Sequence, residues 1–406
     1  MLYAGIDIAK YDHWVGSVDE KGRTASKPMG FKNSSAGFEG CVSYLEGLAD
    51  DKSDVLVGME ATGHYWLACF CALTAAGYDV VVINPIQTDA MRKFKNLGKV
   101  KTDRVDCGVI ADTLRCGDFE PSRLADEKMM SLRQLTRLHR SLTGEVSDLK
   151  RQVVVALDQV LPEYEGIFCD MFGETSKAFL ERCPTAGECE SIDIRTLTRL
   201  LEKASHGKLG RGRAKELKSA AKGSCGIRLC SDAFSLQVRL LIEQMGFIEG
   251  QIAELEAEIR PMLDEMEPLI LTIPGISYKT GAQIVSEIGD VKRFKNAAAI
   301  VKYAGINPSR NDSGTFEGGA NHIAKQGSPY LRRALYLAAM AQLKNRGPLY
   351  DYYLKKRKDG KAHREALIAV ARKLVHIIYA VLSKREPYDP GFESRKLQQH
   401  ALNDSI

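Results

Sequence analysis

Apolar positions along this chain change their period partway, and the change separates two kinds of structure. Residues 2–9 and 12–19 carry the apolar runs of strands, and "DEKGR" turns the chain into a third strand near 24–30. "DVLVGME" (54–60) is an apolar strand that ends on an acid. A helix is predicted from about His64 to Ala76, then a buried strand over "YDVVVINP" (78–85), stopped by Pro85. A basic helix and loop, "MRKFKNLGKVK", leads to another helix opening near Thr102. Three meandering strands followed by strand–helix–strand–helix suit a mixed sheet covered by helices.

After about Asp126 the period lengthens. Leu132, Leu135, His139, Leu142, Val146, Leu149, Val153, Ala156 and Val160 alternate three- and four-residue steps. The rhythm returns in Phe234, Val238, Leu241, Met245, Ile248, Ile252, Leu255, Ile259 and Met262. These are heptad seams, a coiled-coil signal. They fit an antiparallel hairpin within one chain, and they also fit a surface joining two subunits, which is the favoured expectation. Between them, 161–230 is less regular and ends in "HGKLGRGRAKELKSAAKGSCGIR", whose one acid is Glu216. That run reads as a solvated linker or as a flexible arm tracking phosphates through Lys208, Arg211, Arg213 and Lys215. The predicted organisation is an α/β domain over 1–126, coiled-coil helices with a basic insert over 127–265, a helical domain over 266–385, and a loose tail over 386–406.

Bulk properties add little. A length of 406 residues fits two or three domains, and a net charge of +5 makes only local basic clusters informative. No uninterrupted apolar run reaches about eighteen residues, and "MLYAGIDIAK" lacks a signal-peptide pattern, so a cytoplasmic location away from membrane is expected. The ten cysteines lack zinc-finger spacing and read as reduced, mostly buried thiols.

Four acids draw attention. Asp7 lies inside the first strand, and Glu60 ends a strand at the edge where α/β sheets bind ligands. In a helix from Thr102, Asp103 and Asp106 share one face with Ile110 and Leu114, expected to turn inward, while Asp112 points the other way. Two buried acids in a basic helix are either ion-paired to neighbouring Lys and Arg or hold a metal. Four converging carboxylates would repel one another, and two Mg²⁺ ions would resolve that by making a phosphodiester site. Arg92, Lys93, Lys95, Lys99 and Lys101 then form a backbone clamp. Farther on, "LILTIPGISYKTGAQIVSEIGDVKRF" (269–294) reads as a helix–hairpin–helix whose amides around Gly275 grip a phosphate, or as a plain helical turn. In "YAGINPSRNDSGTFEGGANHIAKQGSPYLRRALYLAA" (303–339), a serine in a Gly-rich loop precedes Lys325, Arg332 and Arg333, with no triad partner evident. By residue physics alone Ser313 is a turn residue.

In one order stand "GIDIAK", a strand-ending "ME-T", "KTDRVDCGVIA", "IPGI---TG-----EIGD--RF", "GI-PS---SG" and "I-KQGS-YLR". Over about 1–120 and 265–345 the chain thereby resembles the insertion-sequence-110 family of transposases. The resemblance implies a RuvC/RNase H-like domain with Asp7, Glu60, Asp103 and Asp106 as its DEDD set, and a serine transposase domain with Ser313 as nucleophile. Ser309 is the other serine of that motif. The resemblance also implies donor and target DNA, a structured noncoding bridge RNA that pairs with both, and a dimer assembling to a tetramer. Lys325, Arg332 and Arg333 would steady phosphate charge. Two other functions fit the residues: a metal-dependent junction nuclease using water, and a non-enzymatic nucleic-acid scaffold.

Overall fold

The strands of the first 124 residues pair as one five-stranded mixed sheet. β1 (Leu2–Asp7), β2 (Asp12–Val18), β3 (Thr24–Lys32), β4 (Val55–Glu60) and β5 (Asp79–Ile83) stand in the order β3-β2-β1-β4-β5. The β1–β2 and β2–β3 pairs are antiparallel, and β4 runs parallel to both β1 and β5. The structure is a computed structural model that describes residues 1–60, 63–83, 85–95, 102–117, 127–266, 268–308 and 322–391. It divides into two compact units, Met1–Leu124 and Ala125–Ile406.

Helices cover both faces of the sheet. Ala4, Ile6, Val57 and Met59 pack on one side with Cys41 and Leu45 of α1 (Ser35–Glu46) and Cys69 and Leu73 of α2 (Trp66–Ala75). On the other side lies α4 (Asp103–Cys116), whose Ile110 and Leu114 meet Val81 and Ile83; α3 (Pro85–Phe94) precedes it. Helix α1 is absent from the expected order of elements, although Ser34 caps it and Phe38, Cys41, Val42 and Leu45 keep helical spacing. Three glycines make the seat for α4. Gly5 pairs with Gly16 on β2 and with Gly58 on β4, a row crossing three strands. A Cβ at Gly5 would overlap the Cys107 carbonyl and the Ala111 nitrogen, and one at Gly58 would sit 2.6 Å from Leu114 Cδ1.

The second unit is helical. α5 (Glu127–Val160) and α10 (Ser231–Asp264) have 34 residues each, about 51 Å of helix. They run antiparallel: Lys128 meets Glu265 at 2.9 Å, His139 meets Glu256 at 2.9 Å, and the Ile227 amide donates to the Gln159 carbonyl near the far end. The heptad seams close within the chain, with Val146, Leu149 and Val153 clustered with Val238, Leu241 and Met245. That corrects the favoured use of this seam between subunits. The insert is regular too. α6 (Glu174–Arg182), α7 (Ala186–Ser191), α8 (Ile194–Ala204) and α9 (Arg211–Lys222) enclose Tyr164, Phe179, Leu197, Leu201 and Leu217. The flexible arm expected near 206–222 is therefore a packed helix: Ala214, Leu217 and Ala221 form a buried stripe inside a basic segment.

At the other end of the long helices, Leu132, Ile259 and Leu263 join a core with α11 (Tyr278–Ile288), α12 (Ala297–Tyr303), α13 (Pro329–Lys344) and α15 (His363–Lys384). α14 (Tyr350–Lys358) lies on α15 and has no fully buried residue. By length and composition α15 alone among the described helices suffices to cross a membrane, yet Leu367, Val370, Leu374, Val375 and Ile378 are buried in this core. Ahead of the "PGIS" turn stands only a single 3-10 turn, Leu269–Thr272, where a full helix was expected. Five of the ten cysteines are exposed, more than the expected mostly buried set.

The glycine row yields a sharp stability contrast. Gly5→Ala should lose about 2–3 kcal/mol in urea unfolding, because its methyl meets backbone that cannot step aside. Gly40→Ala in α1, where an added Cβ meets nothing within 4 Å, should gain about 0.5–1 kcal/mol.

Candidate functional site

Asp7 and Glu60 each lie two residues beyond a glycine of the row, on the strand face that α4 covers. β1 and β4 run parallel in register, Ile6 beside Met59, so the two acids end neighbouring strands at the same edge. The first turn of α4 reaches that edge and carries Asp106, which is 5% exposed. Burial pushes the Cys107 thiol up to about 11, and the Asp7 and Asp106 charges beside it add to the shift. Asp7, Glu60 and Asp106 thus gather at one end of the α4 trough.

Cations and donors from the next helix answer them. Thr88 of α3 donates to Glu60 at 2.7 Å, and Arg92 Nη2 lies 2.8 Å from Asp106 Oδ1. That contact compensates charge without hydrogen-bond alignment, and among the described residues neither Asp106 Oδ1 nor Arg92 Nε has a hydrogen-bond partner. Two expectations need correction. Asp103 is exposed, because it opens the helix beyond its covered part, so the two acids do not both turn inward. Asp112 is buried rather than outward, held by Lys95 and by Arg115 at 3.0 Å, since α4 is covered from 109 to 114 on every side. The expected backbone clamp changes as well. Arg92 and Lys95 turn to these acids and Lys93 pairs with Asp89 at 2.7 Å, while Lys99 and Lys101 lie outside the described residues. Among the described residues, no three His, Cys, Asp or Glu side chains group closely enough to hold one ion.

In the second unit a stem holds the Gly-rich segment. Pro308 bridges Ile323, the Ala324 amide donates to the Asn307 carbonyl, and the Lys325 amide donates to the Gly305 carbonyl. Arg332, expected on phosphate, donates to the Ala304 carbonyl at 3.0 Å and the Lys325 carbonyl at 3.3 Å, tying the two arms. Lys325 and Arg333 are exposed; Ser309, Ser313, Gly314, Gly318 and Gly319 lie outside the described residues. Gly275 is packed rather than open, with a Cβ there only 3.0 Å from Gln342 Nε2, and Gln342 donates to the Pro274 carbonyl. Lys208, Arg211 and Lys215 are exposed on or beside α9, and Arg213 pairs with Glu216 at 2.7 Å.

One anchor escaped the sequence reading. Glu287, fully buried, takes two hydrogen bonds from Arg137, at 2.6 and 3.1 Å, and one from Ser328 at 2.7 Å. Ser328 in turn caps α13 through the Leu331 amide, and Tyr330 stacks beneath Arg137. The signal was the pair of quoted motifs: the "E" of "EIGD" and the "S" of "KQGS" meet here. A cavity of about 70 Å³ between α5, α10 and α11, lined by His139, Glu256 and Lys279, is distinct from both the stem and this anchor.

Comparison with known proteins agrees across the chain. The IS110 DEDD transposase model matches residues 4–162, and the model described as the transposase IS116/IS110/IS902 family matches 267–354. A pilin gene-inverting protein of Moraxella lacunata is 30% identical over 388 residues, 95% of this chain and 97% of the relative. The uncharacterized 44.8 kDa protein of insertion element IS116 from Streptomyces clavuligerus is 27% identical, covering 96% of each chain. A mini-circle putative transposase for IS117 from Streptomyces coelicolor is 23% identical, covering 96% of this chain and 95% of the relative.

The two buried acids should respond differently to loss of their partners. Without divalent metal, Arg92→Gln should cost about 3 kcal/mol in urea unfolding by leaving Asp106 uncompensated, and adding Asp106→Asn should recover most of it. Glu287→Ala should cost about 3–5 kcal/mol, and no second change at Arg137 alone should restore it, because Ser328 also loses its acceptor.

Proposed function

This chain belongs to the IS110 family of transposases, enzymes of DNA recombination, and from that premise we propose that it is an RNA-guided, metal-dependent recombinase with a covalent serine step. The observation that carries the reading is the gathering of Asp7, Glu60 and Asp106 at one end of the trough under α4. The mixed sheet order β3-β2-β1-β4-β5 with helices on both faces supports a RuvC-like reading of this unit.

The donor chemistry suits divalent metal, although the acids stand too far apart here to share one ion. Asp106 Oδ1 is buried without a hydrogen bond, and Arg92 stands beside it as the resident cation. Asp7, Glu60 and Asp106, with Asp103 at the exposed rim, would hold two Mg²⁺, which supply charge stabilisation on the scissile phosphate. Metal held there would take the place of Arg92 at Asp106 and of Thr88 at Glu60. Ser313 Oγ attacks the phosphorus, forms the serine–phosphate ester on the 5′ side and gives up its proton. The DNA 3′ oxygen leaves and takes a proton, so the energy of the broken bond is kept for rejoining. Arg332 ties the two arms that flank the segment carrying this serine in sequence, and Lys325 and Arg333 are exposed beside those arms to meet phosphate.

A guide RNA would choose donor and target by pairing, which suits the lack of an evident base-reading helix among the described residues. Lys208, Arg211 and Lys215 offer exposed charge for its backbone. For assembly as a dimer and then a tetramer, the seam is already spent inside the chain. The outer face of α10 offers Leu236, Leu240 and Phe247, 54–68% exposed and in line on one side.

The deciding experiment is denaturing-gel capture of a protein–DNA adduct. Wild type and Ser309→Ala should form it, while Ser313→Ala and Asp106→Asn should not. Cleavage without any adduct in wild type makes water the nucleophile and sinks the serine step. In parallel, millimolar Mg²⁺ should raise the melting temperature of wild type but not of Asp106→Asn; equal responses would remove the metal reading.

A further inference from the structure

A cluster of positive charge lies in the second unit, outside the stem segment. Between residues 344 and 365 there are eight Lys and Arg against Asp351, Asp359 and Glu365. That surplus of five equals the net charge of the whole chain, +5, so the remaining residues sum to zero. The segment runs from the end of α13 through α14 into the start of α15. It is a folded surface rather than a loose basic tail.

Its construction separates cations that hold the fold from cations that face outward. Tyr352 lies between Lys356, 5.7 Å from the ring centre, and Lys373 at 5.0 Å. Tyr353 meets His363 Nδ1 at 2.8 Å, and Arg357 donates to the Lys361 carbonyl at 2.6 Å, fixing the turn between α14 and α15. Lys356 is answered by Asp359 at 3.0 Å. Lys344 and Arg346 are exposed at the end of α13, and on the α14–α15 turn the outward cations are Lys355, Lys358, Lys361 and Arg364, all exposed. Among the described residues, Lys361 stands 4.0 Å from Glu365, an exposed pair of little strength, while Lys355 and Lys358 feel the Asp359 charge that Lys356 already answers directly.

Like charges crowded this closely repel one another, and counterions in water only partly relieve that. The core accounts for Tyr352 and Tyr353, which pack against it half-buried, but not for the outward cations. A polyanion accounts for them. We infer that the α14–α15 turn is a docking surface for the phosphate backbone of duplex DNA, through Lys355, Lys358, Lys361 and Arg364. The contact is with phosphate and carries no sequence choice. Arg332 of the stem stands in the first turn of α13 (Pro329–Lys344), and the helix runs on for roughly 18 Å beyond it before the chain enters α14. None of these four residues belongs to the stem or the acid set, so the surface would continue to hold DNA if the serine and metal steps above proved wrong. DNA is the occupant because the family acts on DNA; RNA is the rival.

The test measures equilibrium binding of a duplex DNA and of a duplex RNA, in EDTA so that nothing is cut, between 50 and 200 mM salt. Full-length wild type is compared with a variant carrying Gln at Lys355, Lys358, Lys361 and Arg364. Each phosphate that the protein no longer neutralises lowers the salt slope by about 0.9, so over that range the variant's DNA affinity should vary roughly a hundredfold less than wild type's. A second variant with Arg at the three lysines should keep wild-type binding, which guards against damage to α14. A control with Gln at Lys21, Lys27, Arg199 and Lys203 should move the slope little. An unchanged DNA slope in the first variant overturns the inference, as does a slope that falls for RNA alone. A control that falls equally overturns it too, since net charge would then suffice.

Discussion

How closely a helix may approach a sheet is set by what stands between their backbones, and in the first unit nothing does. Gly16, Gly5 and Gly58 are direct cross-strand neighbours, and α4 rests on that row with Cys107, Ala111 and Leu114. Any side chain in the row would lift the helix. The acids of β1 and β4 follow two residues after their glycines, so they emerge on the same face just past the seat. The helix that can sit so low brings Asp106 down to them. Close packing and the gathering of charge therefore have one cause.

Gathering carboxylates in a half-buried place is costly unless each is answered. α3 supplies the answers as a unit: Thr88 to Glu60, Arg92 to Asp106, and Lys95, just past its end, to Asp112. A single helix thus controls how exposed and how charged the acid end is. It follows β5 directly, so its position is inherited from the sheet it helps neutralise.

The second unit uses a buried acid differently. Glu287 accepts hydrogen bonds on both oxygens from Arg137 and a third from Ser328, which leaves it little capacity for a ligand. Asp106 is as buried in kind, yet its Oδ1 has a charge beside it and no hydrogen bond. Saturation separates a carboxylate that fastens three helices from one that has bonding left to offer. The same distinction applies to the arginines, since Arg332 is spent on carbonyls of the stem while Arg333 stays exposed.

Local sequence determined what depends on neighbours a few residues away. The strands, the two seams and the motif acids follow from alternation, heptad spacing and charge inside apolar runs. Helix α1 was equally local, with its cap and its spacing of Phe38, Cys41 and Leu45, and the pattern sufficed to find it. Tertiary structure decided the rest. Asp112 looks outward on a helical wheel, but a wheel knows one covered face and α4 is covered from several sides. Arg92 and Lys95 look like free cations because the acids they meet stand fourteen and seventeen residues ahead. The heptad seam specifies that a partner exists without saying whose. Pairing α5 with α10 needed the packed insert that folds the chain back, and the stripe of Ala214, Leu217 and Ala221 is hidden in a segment dominated by charge. Each of these turns on which surface a residue meets, a property of contacts distant in sequence that no local period encodes.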